Sequence, residues 1–257
     1  MNLEISTVVG CRMNCDYCPQ KIHVKNYVAK TRETDMSLEN FKHMLSKVPK
    51  EVEIIFAGMA EPWLNKSCTD MVEHTFDQGY KVGVYTTLAG MTLRDVVRIH
   101  NLPFVHFTLH LPDEGGRMRL NPDGNYLHVL SKVIETMDVQ KMVIGKLHPK
   151  VEEYSGSVQD GSPGLLSRAG LLKKLYRKTG PIKCGAMGAK MDQNILLPNG
   201  DVLLCCCDYA LTNIIGNLML DTYEDLFTSP GYKRIKAAML DDTKELNCRF
   251  CELSVPA

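Results

Sequence analysis

The chain has 257 residues, 44% of them apolar, enough for one barrel-sized domain or one domain with a small appendage. Its 30 basic and 30 acidic side chains cancel, which excludes the basic footprint that nucleic acid or an anionic membrane surface would need. No apolar run is long enough to span a bilayer, and no basic flank followed by an apolar stretch opens the chain, so a cytoplasmic protein is expected.

In chain order, Leu3 to Val9 reads as a buried strand, β-branched and ending at Gly10. A cysteine loop follows at once. Ser37 is a helix N-cap, with Leu38, Phe41, Leu45 and Val48 on one face. Val52–Ala57 is a second strand. Met71, Val72 and Phe76 fit a helix that Gly79 stops. Lys81–Thr86 is a third strand, Thr92–His100 a helix, and Phe104–Leu109 a fourth strand. A helix over Tyr126–Met137 and a strand over Lys141–Leu147 close the series. Strands alternating with helices at this spacing imply parallel pairing with right-handed crossovers. The expected fold class is α/β, a partial parallel (β/α) barrel over residues 1–148.

Residues 149–182 change character. Gly156, Gly161, Pro163, Gly164, Gly170, Gly180 and Pro181 mark a connector, with a short helix expected around Leu171–Lys178. The basic cluster Lys173, Lys174, Arg177 and Lys178 reads as the solvated face of that helix. Residues 183–257 form a small α+β module. There Asn194–Leu197 and Val202–Leu204 flank Pro198-Asn199-Gly200-Asp201, a hairpin signal. Helical patterns follow at Thr222–Phe227 and Tyr232–Leu240.

The ten cysteines are grouped rather than scattered. In a reduced compartment such grouping points to metal or catalysis, not disulfides. Cys11-Arg-Met-Asn-Cys15-Asp-Tyr17-Cys18 places three thiolates close together, able to hold three irons of a cubane cluster and leave the fourth open. Zinc would need a distant fourth ligand. The loop follows the first strand, and barrel chemistry sits at the C-terminal ends of strands. On strand four, His106, Thr108 and His110 alternate with apolar residues, so one face is polar and should line a lumen that holds a ligand; a satisfied core histidine is an equal reading for His106, less so for His110. Cys68 reads as helix core.

The spacing Cys-x3-Cys-x2-Cys with an aromatic before the last cysteine resembles the signature of the radical S-adenosylmethionine (SAM) superfamily. That resemblance implies a [4Fe–4S] cluster on Cys11, Cys15 and Cys18, with SAM on the open iron. It places Tyr17 near the adenine. Gly58-Met-Ala60-Glu61-Pro62 resembles the family's Gly-Gly-Glu-Pro element, which binds the SAM amino group, although Ala60 stands where glycine is usual. A position needing positive φ would exclude alanine. Tyr85-Thr86-Thr87 stands in the place of a further SAM-binding turn, and His110 at the end of strand four faces the same region.

Cys184, Cys205 and the pair Cys248-x2-Cys251 resemble the SPASM/Twitch extension of these enzymes. No cysteine follows Cys251, which matches the shorter Twitch form. The resemblance implies a second, auxiliary [4Fe–4S] cluster on Cys184, Cys205, Cys248 and Cys251, with Cys206 and Cys207 as rivals of Cys205 or buried thiols. A structural zinc site from the same thiolates is the competing reading. Ser167-Arg168-Ala169-Gly170 resembles an Asn-Arg-Gly-Gly element whose arginine reaches the substrate, so Arg168 is the candidate catalytic residue. The expected activity is radical oxidation of an alcohol of a sugar or cyclitol, the auxiliary cluster taking an electron. Alternatives are an epimerase using Cys206 or Cys207 as hydrogen donor, a ribosomal-peptide modifier, and a non-enzymatic zinc module. A strand at residue 3 leaves no fused peptide-recognition domain, which favours a small-molecule substrate. A flavodoxin or ferredoxin would be the reducing partner.

Overall fold

The computed structural model describes residues 1–257. Six strands pair in parallel in chain order: β1 (Asn2–Ile5), β2 (Glu53–Phe56), β3 (Val82–Thr86), β4 (His106–His110), β5 (Gln140–Val143) and β6 (Gln159–Asp160). Helices α1 (Gln20–Val28), α2 (Leu38–Leu45), α3 (Cys68–Asp77), α4 (Leu93–Ile99), α5 (Gly124–Thr136) and the short α6 (Glu152–Ser155) lie between them. Leu3 and Ile5 are fully buried, while Asn2 and Glu4 alternate with them toward the other face. The helices begin where side chains satisfy their free N–H groups. Ser37 accepts from Asn40 N, Thr92 and Asp95 form a capping box, and Asp123 accepts from Tyr126 N.

The barrel holds one strand more than the five expected. The sixth, β6, is two residues long, too short to show any alternation. Helix α1 was also not expected. Its buried residues are Gln20, His23 and Tyr27, helically spaced but not aliphatic, so the apolar pattern that marks a helix is missing.

The C-terminal residues carry β7 (Ile182–Cys184), β8 (Gln193–Leu196), β9 (Asp201–Leu203), β10 (Ile214–Asn217), α7 (Pro230–Leu240) and β11 (Ser254–Pro256). β7 and β11 pair antiparallel in a sheet of their own. β8 and β9 form the expected hairpin, and Gly200 sits in its turn at φ +88°. A Cβ there would lie 2.5 Å from Asn217 Oδ1, so both conformation and space demand glycine. β8 also pairs in parallel with β1, Leu3 opposite Asn194. One sheet of nine strands therefore runs β10-β9-β8-β1-β2-β3-β4-β5-β6.

The helix expected at 171–178 is absent; the segment is turn and loop. Lys173 and Lys174 are exposed as expected, though on no helix, whereas Arg177 and Lys178 are half-buried. Arg177 donates to the carbonyl of Asp242, and Lys178 Nζ donates to Cys251 O at 2.7 Å. These cations tie the connector to the chain's end, and carbonyl contacts replace the helical bonds the pattern implied. The pattern at Thr222–Phe227 closes instead into a single 3-10 turn over Asp225–Thr228.

Candidate functional site

The first three cysteines sit on the loop after β1, at the C-terminal mouth of the barrel. The loop is held from across the mouth: Asp16 N donates to Arg117 O and Arg119 N to Met13 O, each at 2.9 Å. The strap that supplies these partners is itself organised by Asp113. This buried carboxylate accepts from Arg117 N at 2.9 Å and Met118 N at 2.8 Å. Gln20, at the start of α1, accepts from Cys11 N and donates Nε2–H to Cys18 Sγ, both at 3.3 Å. Neither Asp113 nor Gln20 carries a sequence signal, because each acts through backbone that only the fold brings near.

One cavity takes in Cys11, Cys15 and Cys18 together with Tyr17, Ala60, Glu61, Thr86, Thr87, His110 and Arg168. Burial pushes the Cys11 thiol up and the Cys15 thiol up to about 12, and the neighbouring cysteines add to both. Desolvated Cys11 and Cys15 become thiolates only against a compensating cation, as iron provides. The donor set therefore fits a cluster.

Tyr17 and His110 meet face to face. Their rings are 5.7 Å apart and 25° from parallel, with Tyr17 Oη 3.4 Å from His110 Nε2. Burial lowers His110 to a pKa of about 4, so a neutral imidazole faces the cavity.

Glu61 is buried, and four donors engage it. Oε1 accepts from Trp63 N at 3.2 Å and Thr86 Oγ1 at 2.7 Å; Oε2 accepts from Thr87 N at 2.6 Å and Thr87 Oγ1 at 2.8 Å. Its carboxylate thus ties the end of β2 to the end of β3. Ala60 is not among the residues of positive φ, so alanine is no obstacle there. The position that needs glycine is Gly58, at φ +79°, where a Cβ would lie 3.0 Å from Ser6.

His106 is placed differently from His110. Its ring lies where a Cβ on Gly83 would be, 2.2 Å from the nearest ring atom, and its Nδ1 is 3.5 Å from Glu53. It packs against the sheet rather than into the cysteine cavity.

A second cavity is lined by Cys184, Cys205, Cys206, Cys207, Cys248 and Cys251, with Glu4 of β1 among its walls. Burial pushes the Cys248 thiol up, and Cys205, Cys251 and Cys184 are near enough to add to the shift. Those are the other members of the expected ligand set. Cys207 is more buried than Cys205 and shares hydrogen-bonding contact with the thiols of Cys205, Cys206 and Cys251, so it remains a rival of Cys205. Six thiols around one cavity again form a donor set suited to iron–sulfur binding.

Two residues hold this second set in place. Asp208, fully buried, accepts from Thr212 N at 3.1 Å, Asn213 N at 2.6 Å and Asn247 Nδ2 at 2.9 Å. Arg249, between the last two cysteines and also fully buried, donates to the carbonyls of Lys178, Gly180, Ala238 and Met239.

Arg168 stands between the two cavities. Arg168, Ala169 and Gly170 take φ values of +54°, +54° and +83°, a left-handed run that is costly outside glycine. The turn aims the guanidinium inward, 5.5 Å above the Tyr209 ring, with Nε buried and unpaired. Glu4 approaches from β1, and desolvation pushes its carboxyl up to about 8. Glu4 lies within the strand read only as barrel core, so its place in a cavity wall was missed.

Residues 184–252 match the SPASM family model, described as an iron–sulfur cluster-binding domain. The probable dual-specificity RNA methyltransferase RlmN of Trichormus variabilis is 30% identical over 136 residues, 49% of this chain and 36% of that protein. The match thus spans little more than a third of that relative's length. Among solved structures, BtrN in complex with AdoMet and 2-DOIA superposes with a TM-score of 0.62 at 17% identity, covering 98% of this chain and 92% of BtrN. Streptococcus suis SuiB bound to its precursor peptide SuiA gives 0.62 at 14% identity, covering 98% and 69%. The native anSMEcpe structure with bound AdoMet gives 0.53 at 15%, covering 98% and 88%. The chain thus shares its fold with BtrN, SuiB and anSMEcpe, and its residues 184–252 match a SPASM-type iron–sulfur cluster-binding domain.

Proposed function

We propose that the chain is a radical SAM oxidoreductase that oxidises an alcohol of a small polar substrate, a sugar or cyclitol, between two [4Fe–4S] clusters. Cys11, Cys15 and Cys18 hold the cluster that binds SAM. Cys184, Cys205, Cys248 and Cys251 hold the auxiliary cluster. When bound, the first cluster and SAM supply the 5′-deoxyadenosyl radical that removes a hydrogen atom from an unactivated carbon. The chain's residues do the rest. Tyr17 and His110 give the adenine an aromatic wall. Glu61 fixes the turn of Thr86 and Thr87, leaving the backbone around Ala60 to meet the amino acid end of SAM. Arg168 offers a fixed positive charge to the substrate hydroxyl and eases loss of its proton; the auxiliary cluster, when bound, would supply the acceptor for the remaining electron.

The observation that carries this reading is the pair of separate thiol-lined cavities with Arg168 between them. A redox-neutral reaction would not require the second. Iron, sulfide and zinc in the anaerobically reconstituted protein test it. About eight irons per chain is the expected result. About four irons with one zinc would remove the electron acceptor and overturn the oxidation. SAM with a panel of sugars and cyclitols should then give 5′-deoxyadenosine and a ketone in equal amounts. Cys206 favours a second reading, epimerisation, because it adjoins Arg168 and is not needed as a ligand. In that case Cys206→Ala would turn inversion into futile SAM cleavage.

A further inference from the structure

Tyr209 belongs to the loop that follows Cys205, Cys206 and Cys207, yet its hydroxyl reaches the other cavity. The phenol oxygen is 3.3 Å from Cys18 Sγ. Its ring is 4% exposed and sits in a small apolar cluster with Tyr27, Met59, Ile195 and Leu197. The His23 ring meets it edge-on at 5.7 Å, and the Arg168 guanidinium covers it at 5.5 Å. The ring is therefore held, and its hydroxyl has no partner but Cys18. Leaving a buried phenol unpaired is costly, so the contact is retained. A free thiol can donate to the phenol oxygen. A thiolate can only accept, so once Cys18 holds iron the phenol O–H must donate to sulfur.

We propose that Tyr209 is a positioning residue that donates a hydrogen bond to the Cys18 thiolate and raises the reduction potential of the cluster that binds SAM. The inference rests on the reading of Cys11, Cys15 and Cys18 as ligands of that cluster. A hydrogen bond to cluster sulfur stabilises the reduced state, which carries more negative charge. Gln20 supplies a donor to the same sulfur from the barrel, and Tyr209 supplies one from the auxiliary module. Tyr209 is fixed next to Asp208, which orders the 205–213 loop, so the state of the auxiliary loop reaches the first cluster through this one hydroxyl.

The test is a redox titration of the reconstituted full chain followed by electron paramagnetic resonance. The first cluster is identified as the signal that SAM perturbs. Tyr209→Phe keeps the ring and removes the hydroxyl. Tyr27→Phe is the control: its hydroxyl lies in the same apolar cluster but bonds Glu33 O and Asn199 N, away from Cys18. In Tyr209→Phe the reduction equilibrium should weaken about tenfold, a shift of ~59 mV to more negative potential. Tyr27→Phe should titrate like the wild type. Equal midpoints in Tyr209→Phe and wild type, or equal shifts in both variants, overturn the inference. If Tyr209→Phe fails to retain iron, 3-fluorotyrosine at position 209, a stronger donor, must raise the midpoint, and an unchanged midpoint is the refuting result. A wild-type protein with no SAM-perturbed signal would sink the cluster reading itself, whereas a signal indifferent to position 209 sinks only this inference.

Discussion

Both carboxylate oxygens of Glu61 are occupied by the protein's own donors, so in the proposed function its contribution to SAM binding is indirect. Glu61→Gln would set an amide N–H against the N–H and hydroxyl of Thr87. Leaving such buried donors unpaired costs about 1–3 kcal/mol. The expected result is a lower urea midpoint together with severalfold weaker SAM binding, both read on the same preparation. At His23 burial dominates and outweighs the opposing influence of the nearby Tyr209 backbone. His23 is fully buried, neither ring nitrogen has a hydrogen-bond partner, and burial lowers its pKa from 6.5 to about 4. The unfolded chain then binds the extra proton between those values. Stability is full above pH 6.5 and falls as pH drops toward 4, by about 2 kcal/mol between pH 7 and pH 5. His23→Phe should remove that loss, so the gap between variant and wild-type unfolding free energies should widen on going from pH 7 to pH 5. A constant gap would mean that His23 is charged or solvated in the folded protein.

At the scale of elements, the Cys248–Cys251 turn owes its place to Arg249, one of the two residues between the cysteines. Arg249 bonds the connector at Lys178 and Gly180 and the end of α7 at Ala238 and Met239. Arg249→Met keeps most of the volume and leaves those carbonyls unpaired. The expected outcome is loss of the auxiliary cluster alone: iron falls from about eight to about four per chain, and SAM is still cleaved without ketone formation. Iron unchanged at about eight would show that the thiols position themselves. This rivet could not be read from the chain, since an arginine between two cysteines looks like a surface residue until its acceptors, far away in sequence, are folded around it. The cysteines were legible because spacing alone carries their chemistry. Helix α1 and the connector were not: in α1, Gln20, His23 and Tyr27 replace the aliphatic stripe, and at 171–178 an apparent helical pattern is overridden by Arg177 and Lys178 bonding to distant carbonyls.

At the scale of the whole molecule, alternating strands and helices made the parallel barrel legible, but the partner of its first strand was not. β1 is flanked by β2 on one side and by β8, from the SPASM-type region, on the other. Local sequence marks β8 and β9 as a hairpin and says nothing about the edge that hairpin joins. The consequence is mechanical. One apolar core runs from Leu3 through Trp63 and Phe107 to Leu196, Ile215 and Ile235, so barrel and C-terminal region share buried surface as well as backbone bonds. Unfolding should then be a single event. Trp63 is the chain's one tryptophan and lies in the barrel, whereas the auxiliary cluster's absorbance reports the C-terminal region. Under anaerobic urea denaturation the two signals should fall together, with one midpoint. A fragment ending at residue 181 would expose the full edge of β1 and lose the core contacts of β8 and α7. It should be insoluble or unfolded, because an uncovered central strand is a template for aggregation. Bleaching of the auxiliary cluster well before the Trp63 transition, with a soluble folded 1–181 fragment, would mean that the nine-stranded sheet joins two units that are stable apart.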